Sequence, residues 1–151
     1  MQTKPVILDS GPLGRVINPG PHRHLDIKLW LLELRHAKVQ IMLPEIVDYE
    51  IRRNLLAEGL TGSLALLDKL GGDLLFLRFG EETLKSAAGL WAQARRHGRA
   101  TSHPLDLDVD VMVAALAIET GAIVATDNVA HLGRFVDARP WSAITPAALR
   151  V

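Results

Sequence analysis

The sequence predicts an α/β fold in which a parallel sheet of four or five strands is flanked by helices on both faces. Two short runs, Val6–Leu8 and Ile123–Ala125, are fully apolar, as is typical of strands buried on both faces. Longer segments with apolar residues at helical spacing lie between the strand candidates, and this alternation favours a parallel sheet. The length of 151 residues fits a single domain that spans residues 1–151.

The apolar pattern predicts the following elements in chain order. Strands are expected at residues 6–8, 39–43, 74–79, 122–125 and near 143–145. Helices are expected at residues 25–37, 44–55, 60–70, 81–97 and 110–120. Pro44 suits the first position of a helix, because proline lacks the amide hydrogen that a helix start leaves unused. Glycines at 71–72, 98 and 121 are typical of helix ends and set the predicted ends there. Residues 99–104 are expected to form a loop.

Composition and charge exclude several classes of protein. The chain has 17 basic and 17 acidic residues, so its formal charge is zero, and binding to nucleic acid would need a segregated basic face or bound metal ions. The absence of cysteine excludes disulfides, thiolate zinc sites and cysteine nucleophiles. No apolar run approaches the roughly 20 residues of a membrane helix, and residues 1–4 do not resemble a signal peptide. We therefore expect a cytoplasmic protein without membrane association.

Three acidic residues from distant parts of the chain are candidates for catalysis or metal binding. Asp9 follows a buried strand that would hold its carboxylate rigidly, although Asp-Ser-Gly-Pro is also good turn chemistry. Glu50 has apolar neighbours along its helix and borders an inward face, where its partner would be a metal or, alternatively, Arg53 or Asn54. Asp110 directly precedes an apolar helix, which it could cap or whose dipole could keep it ionised. The preceding Asp106 and Asp108 are expected in the entering loop.

A polar group, Thr126-Asp127-Asn128, follows the strand expected at residues 122–125. Because the carboxyl ends of parallel strands meet at one edge of a sheet, this group should lie near Asp9. The alternative is an ordinary polar turn between a strand and a helix. Oxygen ligands favour Mg²⁺ or Mn²⁺ over zinc, and two such ions about 4 Å apart can clamp a phosphodiester and activate water. The ordered set of acids therefore predicts a metal-dependent site for phosphodiester cleavage.

At this point the chain resembles the PIN-domain family, close to its toxin-type VapC-like branch. The resemblance is carried by four motifs whose order and spacing agree over nearly the whole chain. They are VILDS at residues 6–10, PEIVDYEI at 44–51, DVMVAALA at 110–117 and IVATDN at 123–128. Each motif is degenerate by itself, so the specificity of the resemblance lies in the ordered set.

The resemblance implies a ribonuclease that uses Mg²⁺ or Mn²⁺, with RNA as its substrate. It places Asp9, Glu50 and Asp110 at the first three acidic positions of the family, with Ser10 and Thr126 as supporting hydroxyl groups. By spacing, the fourth position falls on Asn128, but Asp127 carries the charge, so the fourth ligand stays open between them. A neutral Asn128 would weaken binding of a second metal. The resemblance also implies a homodimer and, for toxin members, an antitoxin protein as partner.

Substrate binding and the competing functions complete the sequence-based expectations. Arg15, Arg52 and Arg53 are candidates for contacts to the RNA backbone, and the alternative for each is a solvated helix face or helix end. A haloacid-dehalogenase-type phosphatase would need a second acid two residues after Asp9, where the chain has Gly11. A receiver domain would need an acidic pair near the first strand, which is also missing. The remaining alternative is a non-catalytic PIN-like domain that binds RNA or protein.

Overall fold

The computed structural model of the chain describes residues 2–98 and 104–151 and contains a five-stranded parallel sheet. The strands are β1 (Val6–Leu8), β2 (Ile41–Pro44), β3 (Leu75–Leu77), β4 (Ile123–Ala125) and β5 (Ala138–Arg139). Their order across the sheet is β3-β2-β1-β4-β5, and every neighbouring pair is parallel. The expected parallel sheet of four or five strands, with residues 6–8 and 123–125 in its interior, is confirmed.

Seven helices connect and flank the strands in the described part of the chain. They are α1 (Ser10–Val16), α2 (Leu25–His36), α3 (Glu45–Glu58), α4 (Thr61–Asp73), α5 (Glu81–Arg96), α6 (Pro104–Thr120) and α7 (Val129–Leu132). Short 3₁₀ turns follow at Trp141–Ala143 and Ala147–Leu149. The sequence patterns did not predict α1 and α7, because both are short and lie in segments with turn-like composition. None of the helices in residues 2–98 and 104–151 is long and apolar enough to cross a bilayer.

The core lies on both sides of the sheet, as the confirmed fold class requires. Successive side chains of a strand point to opposite faces, and all residues of β1, β2 and β4 are buried, so helices cover both faces. Ile7, Leu8 and Ile123 are at most 1% exposed, and burying each such side chain stabilises the fold by about 1.5–3 kcal/mol. Trp30 fastens the C-terminal segment to α2, because its indole Nε1 donates to the Ile144 carbonyl at 2.7 Å.

The chain order of the strands creates a crevice at one edge of the sheet. β1 pairs with β2 on one side and with β4 on the other, so the connections leave the centre of the sheet in opposite directions. In open parallel sheets, ligands bind at such a switch point, beyond the carboxyl ends of the two strands. Residues that directly follow β1 and β4 are therefore placed at the point of the fold that most favours a binding site.

Three predicted helix boundaries are wrong, and the first is the end of α3, which continues to Glu58 instead of stopping at residue 55. α6 begins at Pro104 instead of Asp110, so Asp110 lies nearly two turns inside the helix. Asp106 and Asp108 are both part of this helix and not of a loop. The alternation of leucine and aspartate hid the helical spacing of Leu107 and Val111, which pack with residues of α5. α4 continues through the glycines at 71–72 to Asp73, because packing of its buried face outweighs their low helix propensity. The rest of the expected loop, residues 99–103, lies outside the described residues.

The last predicted strand is also misplaced. The fifth strand is Ala138–Arg139, whereas residues 141–143 form a 3₁₀ turn and Ile144 is buried without joining the sheet. The pairing is secured by the Thr126 amide, which donates to the Arg139 carbonyl at 3.0 Å. Pro140 follows directly, and because proline cannot donate to a ladder it ends the strand there. Two residues are too few for an apolar pattern to reveal.

Candidate active site

Asp9 is the most firmly held acid at the switch point. It directly follows β1, its amide donates to the Ala125 carbonyl of β4 at 3.0 Å, and its side chain is only 8% exposed. The Thr126 hydroxyl donates to the Asp9 Oδ2 at 2.7 Å, and the Ser10 amide also donates to this carboxylate. Burial raises the pKa of Asp9, while these two hydrogen bonds oppose the shift. The carboxylate is thus fixed in position in surroundings that disfavour its negative charge.

A cavity of about 180 Å³ brings the sequence-predicted acids together at this edge of the sheet. Asp9, Glu50 and Asp110 line it with Ser10 and Asn128, and the other lining residues are Val109 and His131. Glu50 reaches it from α3 and Asp110 from α6, where Asp110 is only 8% exposed. As the side chains are placed, no three acidic or histidine groups of the described residues are close enough to hold one metal ion between them.

The position of Asp110 changes the physical reason for its presence in the cavity. Because it lies well inside α6, the dipole at the helix start is too far away to keep it ionised, since that effect fades within the first turn. The prediction that Asp110 caps this helix is wrong for the same reason. Instead, α6 carries the carboxylate into the crevice as part of its buried face, between Val109 and Val111.

Asp127 and Asn128 point to different surroundings. Asn128 lines the cavity with the three acids, and its amide donates to the Thr126 Oγ1 at 2.8 Å. Asp127 instead forms two hydrogen bonds with the Arg15 guanidinium of α1, at 2.7 and 2.8 Å. This guanidinium holds the pKa of Asp127 below its usual value. The geometry thus separates the two candidates for the fourth ligand: Asn128 lines the cavity with the acids, whereas Asp127 pairs with Arg15.

The ion pair of Arg15 and Asp127 depends on a glycine. A Cβ atom built on Gly11 would lie 2.8 Å from the Asp127 Cγ and even closer to one carboxylate oxygen. Such distances are not tolerated, so any side chain at position 11 would displace Asp127 from α1. The absence of a side chain at Gly11 is therefore what lets Asp127 pair with Arg15 on α1.

Comparisons of the sequence and of the structure give different results. No protein-family model and no curated protein sequence matches the chain. Among solved structures, VapBC2 of Rickettsia felis, bound to a promoter DNA fragment, matches with a TM-score of 0.72 and 19% identity over 90% of this chain and 98% of that chain. FitAcB of Neisseria gonorrhoeae matches with a TM-score of 0.63 and 21% identity over 92% and 99% of the two chains. The toxin components of such complexes have the PIN-domain fold.

This chain has the PIN-domain fold. A third match supports the assignment, since VapBC-1 of nontypeable Haemophilus influenzae gives a TM-score of 0.66 and 16% identity over 91% of this chain and 98% of that chain. The fold that the four sequence motifs implied is therefore confirmed. Its switch-point crevice is the same place where the cavity collects Asp9, Glu50 and Asp110.

The three arginines predicted to bind substrate have different environments within this PIN-domain fold. Arg15 is engaged by Asp127, and Arg52 bridges Asp48 and Asp68, with N–O distances of 2.8 Å to each. These hydrogen bonds raise the pKa of Arg52 above its usual value. Arg53, by contrast, pairs with no carboxylate of the described residues, and the expected pairing of Glu50 with Arg53 is absent from them. Arg53 is thus the cation among the three whose charge is not already balanced.

His131 lines the cavity although the sequence analysis did not single it out. It lies in α7, three residues after Asn128, so one helical turn brings both residues to the same side. Its Nδ1 is buried and has no hydrogen-bond partner among the described residues. The sequence signal that could have found it is this spacing, but it is visible only once residues 129–132 are known to be helical.

Proposed function

We propose that the protein is a metal-dependent ribonuclease that hydrolyses phosphodiester bonds of RNA with Mg²⁺ or Mn²⁺. One observation carries the proposal: a single cavity at the switch point is lined by Asp9, Glu50 and Asp110, which come from distant parts of the sequence. Clustered carboxylates repel one another, and burial of Asp9 adds a further cost to its charge. A bound cation would offset both costs, and this gives the cluster a physical reason to exist.

The donor set of the cavity suits a hard divalent cation. Because these acids are too far apart as placed to share one ion, their side chains would have to turn toward each other on binding. Asp9, Glu50 and Asp110 would then hold the ion through carboxylate oxygens, and Asn128 would supply a neutral oxygen as the fourth donor. When bound, such an ion lowers the pKa of a coordinated water and stabilises negative charge on the phosphate. With three carboxylates and one amide, the cavity carries less charge than a four-acid site, so we expect one tightly bound ion and a weaker second one.

The chain's own residues would position the reacting groups. The Thr126 hydroxyl accepts a hydrogen bond from the Asn128 backbone amide and donates one to the Asp9 carboxylate, so a single side chain helps to position both residues. Ser10, the first residue of α1, also lines the cavity and would offer its hydroxyl to the reacting groups. In the hydrolysis, the water oxygen would form a new bond to phosphorus and lose a proton. The bond between phosphorus and the departing ribose oxygen would break, and that oxygen would gain a proton. His131 stands where it could hold such a proton.

We further propose that an antitoxin protein binds this chain and that the chain forms a homodimer. The support for the antitoxin is the likeness to chains of the VapBC and FitAcB complexes, while the homodimer rests on the family resemblance alone. Co-expression with a candidate antitoxin should suppress cleavage, and sedimentation of the chain alone should give twice the mass of 16.5 kDa.

The deciding experiment is cleavage of a mixed-sequence RNA by the purified chain in Mn²⁺, Mg²⁺ or EDTA. We expect cleavage with either ion and none in EDTA, and we expect Asp9→Asn to abolish it while the protein stays folded. Asp73→Asn is the matched control, because it makes the same chemical change on an exposed residue at the opposite edge of the sheet. A folded wild-type chain that binds neither ion and cleaves no RNA would instead support the non-catalytic binding domain.

A further inference from the structure

The ion pair of Arg15 and Asp127 lies next to the acidic cavity. Asp127 directly precedes Asn128, which lines the cavity, and its negative charge adds to burial in raising the pKa of Asp9. The Arg15 guanidinium of α1 donates two hydrogen bonds to the Asp127 carboxylate, at 2.7 and 2.8 Å. A cation is therefore held beside the acids that are proposed to bind the metal ion.

The Asp127 carboxylate engages Arg15 in the way that a phosphate group would. The Arg15 Nη1 donates to one carboxylate oxygen and the Nη2 donates to the other. A guanidinium presents the same planar pair of donors to the oxygens of a phosphate. Gly11 leaves room for this anion against α1, since a Cβ atom there would collide with the carboxylate. The space between Arg15 and Gly11 thus suits an anionic group with two available oxygens.

The pair can open at little cost in free energy. The two side chains are 30% and 51% exposed, and water solvates the separated charges of such a pair well. Among the described residues Arg15 donates hydrogen bonds to Asp127 alone, whereas Arg52 is held by two carboxylates from two helices. Asp26 attracts Arg15 without a hydrogen bond. Exchange of a single partner is therefore enough to release the Arg15 guanidinium.

The charges near the cavity give such a release a consequence for RNA. Three carboxylates line the cavity, and Asp127 adds a fourth negative charge close by. The formal net charge of the chain is zero, so attraction of the RNA backbone depends on local cations. While Arg15 is bound to Asp127, its charge is cancelled. Once it is released, it can bind a phosphate beside the acids.

We propose that Arg15 exchanges the Asp127 carboxylate for a phosphate of the RNA substrate, so that Asp127 is an internal competitor of RNA. The proposal rests on the proposed ribonuclease function and names a residue that binds the substrate and a residue that weakens this binding. No covalent bond changes in the exchange: the guanidinium moves its two hydrogen bonds to phosphate oxygens, and water solvates the released carboxylate. Asp127 thereby lowers the affinity of the site for RNA without taking part in catalysis.

The test is a double-mutant cycle of RNA binding in EDTA, so that it does not depend on metal-dependent cleavage. Fluorescence anisotropy measures the affinity of each protein for a labelled mixed-sequence RNA at several salt concentrations. We expect Arg15→Gln to weaken binding roughly 3- to 30-fold and to lower the salt-dependence slope by about 1, because one phosphate contact is lost. Asp127→Asn should strengthen binding about 2- to 5-fold, because RNA no longer has to open the ion pair. In the Arg15→Gln background this gain should largely disappear.

The matched control is Asp137→Asn, which makes the same change in another exposed pair with two hydrogen bonds. Asp137 accepts from Arg139 at 2.9 and 2.8 Å, and neither residue lines the cavity, so RNA affinity should not change. Thermal melts establish that each variant is folded.

Three results would overturn the proposal. An equal gain from Asp127→Asn with and without Arg15 would mean that Asp127 acts through its charge alone. Unchanged affinity in the folded Arg15→Gln protein would mean that the pair stays closed when RNA binds. Failure of the chain to bind RNA in EDTA would also exclude the exchange. In each case the ribonuclease proposal is judged separately, by metal-dependent cleavage.

Discussion

Replacing Asp127 by alanine tests whether its ion pair with Arg15 is separate from the acids that are proposed to bind metal. The Arg15 and Asp127 side chains are 30% and 51% exposed, and exposed pairs of this kind contribute about 0.2–1 kcal/mol to stability. Because Asn128, not Asp127, lines the cavity, we expect Asp127→Ala to keep cleavage within about tenfold of the wild type, or 1.4 kcal/mol in barrier height. Asp110→Ala should remove cleavage and Mn²⁺ binding.

Gly11 gives this prediction an internal check by double-mutant cycle. In the wild-type background, Gly11→Ala should stabilise α1 by about 0.5–1 kcal/mol through its higher helix propensity, but it displaces Asp127 and so loses the ion pair with Arg15. The net change in the free energy of unfolding should therefore be small. In the Asp127→Ala background nothing is displaced, and the full gain should appear. Urea unfolding of the four proteins measures the free energies of unfolding, with equal slopes required for the comparison.

Two results would refute this reasoning. If Asp127→Ala abolishes Mn²⁺ binding in a calorimetric titration as completely as Asp110→Ala, then Asp127 is a ligand and its pairing with Arg15 is not its working arrangement. If Gly11→Ala has the same effect on stability in both backgrounds, the close approach of Gly11 and Asp127 does not constrain the folded protein.

Two further predictions concern the cavity itself. Burial raises the pKa of Asp9, so the contribution of Asp9 to stability is present below its unfolded-state pKa and is lost as pH rises through its folded-state pKa. Asp9→Asn removes this buried charge. The substitution should therefore raise the melting temperature in EDTA more at about pH 7 than at about pH 4. A melting-temperature difference that does not grow with pH would contradict the buried charge. Asn128→Asp adds a fourth carboxylate and should strengthen binding of a second Mn²⁺ in calorimetry while lowering stability without metal, whereas an unchanged titration would place Asn128 outside the site.

The sequence predicted those parts of the fold whose signal is local. The runs at 6–8 and 123–125 are apolar at every position, which only a strand covered on both faces requires, and both lie in the interior of the sheet. The start of α6 was missed because the alternation of Leu105 to Asp110 has the period of a strand, and contacts with α5 decide the matter instead. The two-residue β5 has no local pattern, since pairing with β4 alone defines it.

The same distinction applies to the site. Asp9, Glu50 and Asp110 could be selected from sequence, because each is an acid next to a buried element, and the structure places all three on one cavity. The pairing of Arg52 with Asp48, four residues earlier on the same helix, has a local signal, but its second partner, Asp68, comes from a different helix and could not be predicted. The choice between Asp127 and Asn128 likewise depended on a partner more than 100 residues away, the Arg15 guanidinium. Such contacts have no trace in the local pattern.

The edges of the sheet limit how copies of this chain can associate. β3 has three residues and β5 has two, and Pro140 follows β5 at once. An edge strand recruits another chain through its row of unpaired amides and carbonyls, and such short edges offer only a few of them. Extension of the sheet from one molecule into the next is therefore disfavoured. A dimer of this protein would have to pack helix against helix, leaving the sheet of each copy closed to its neighbour.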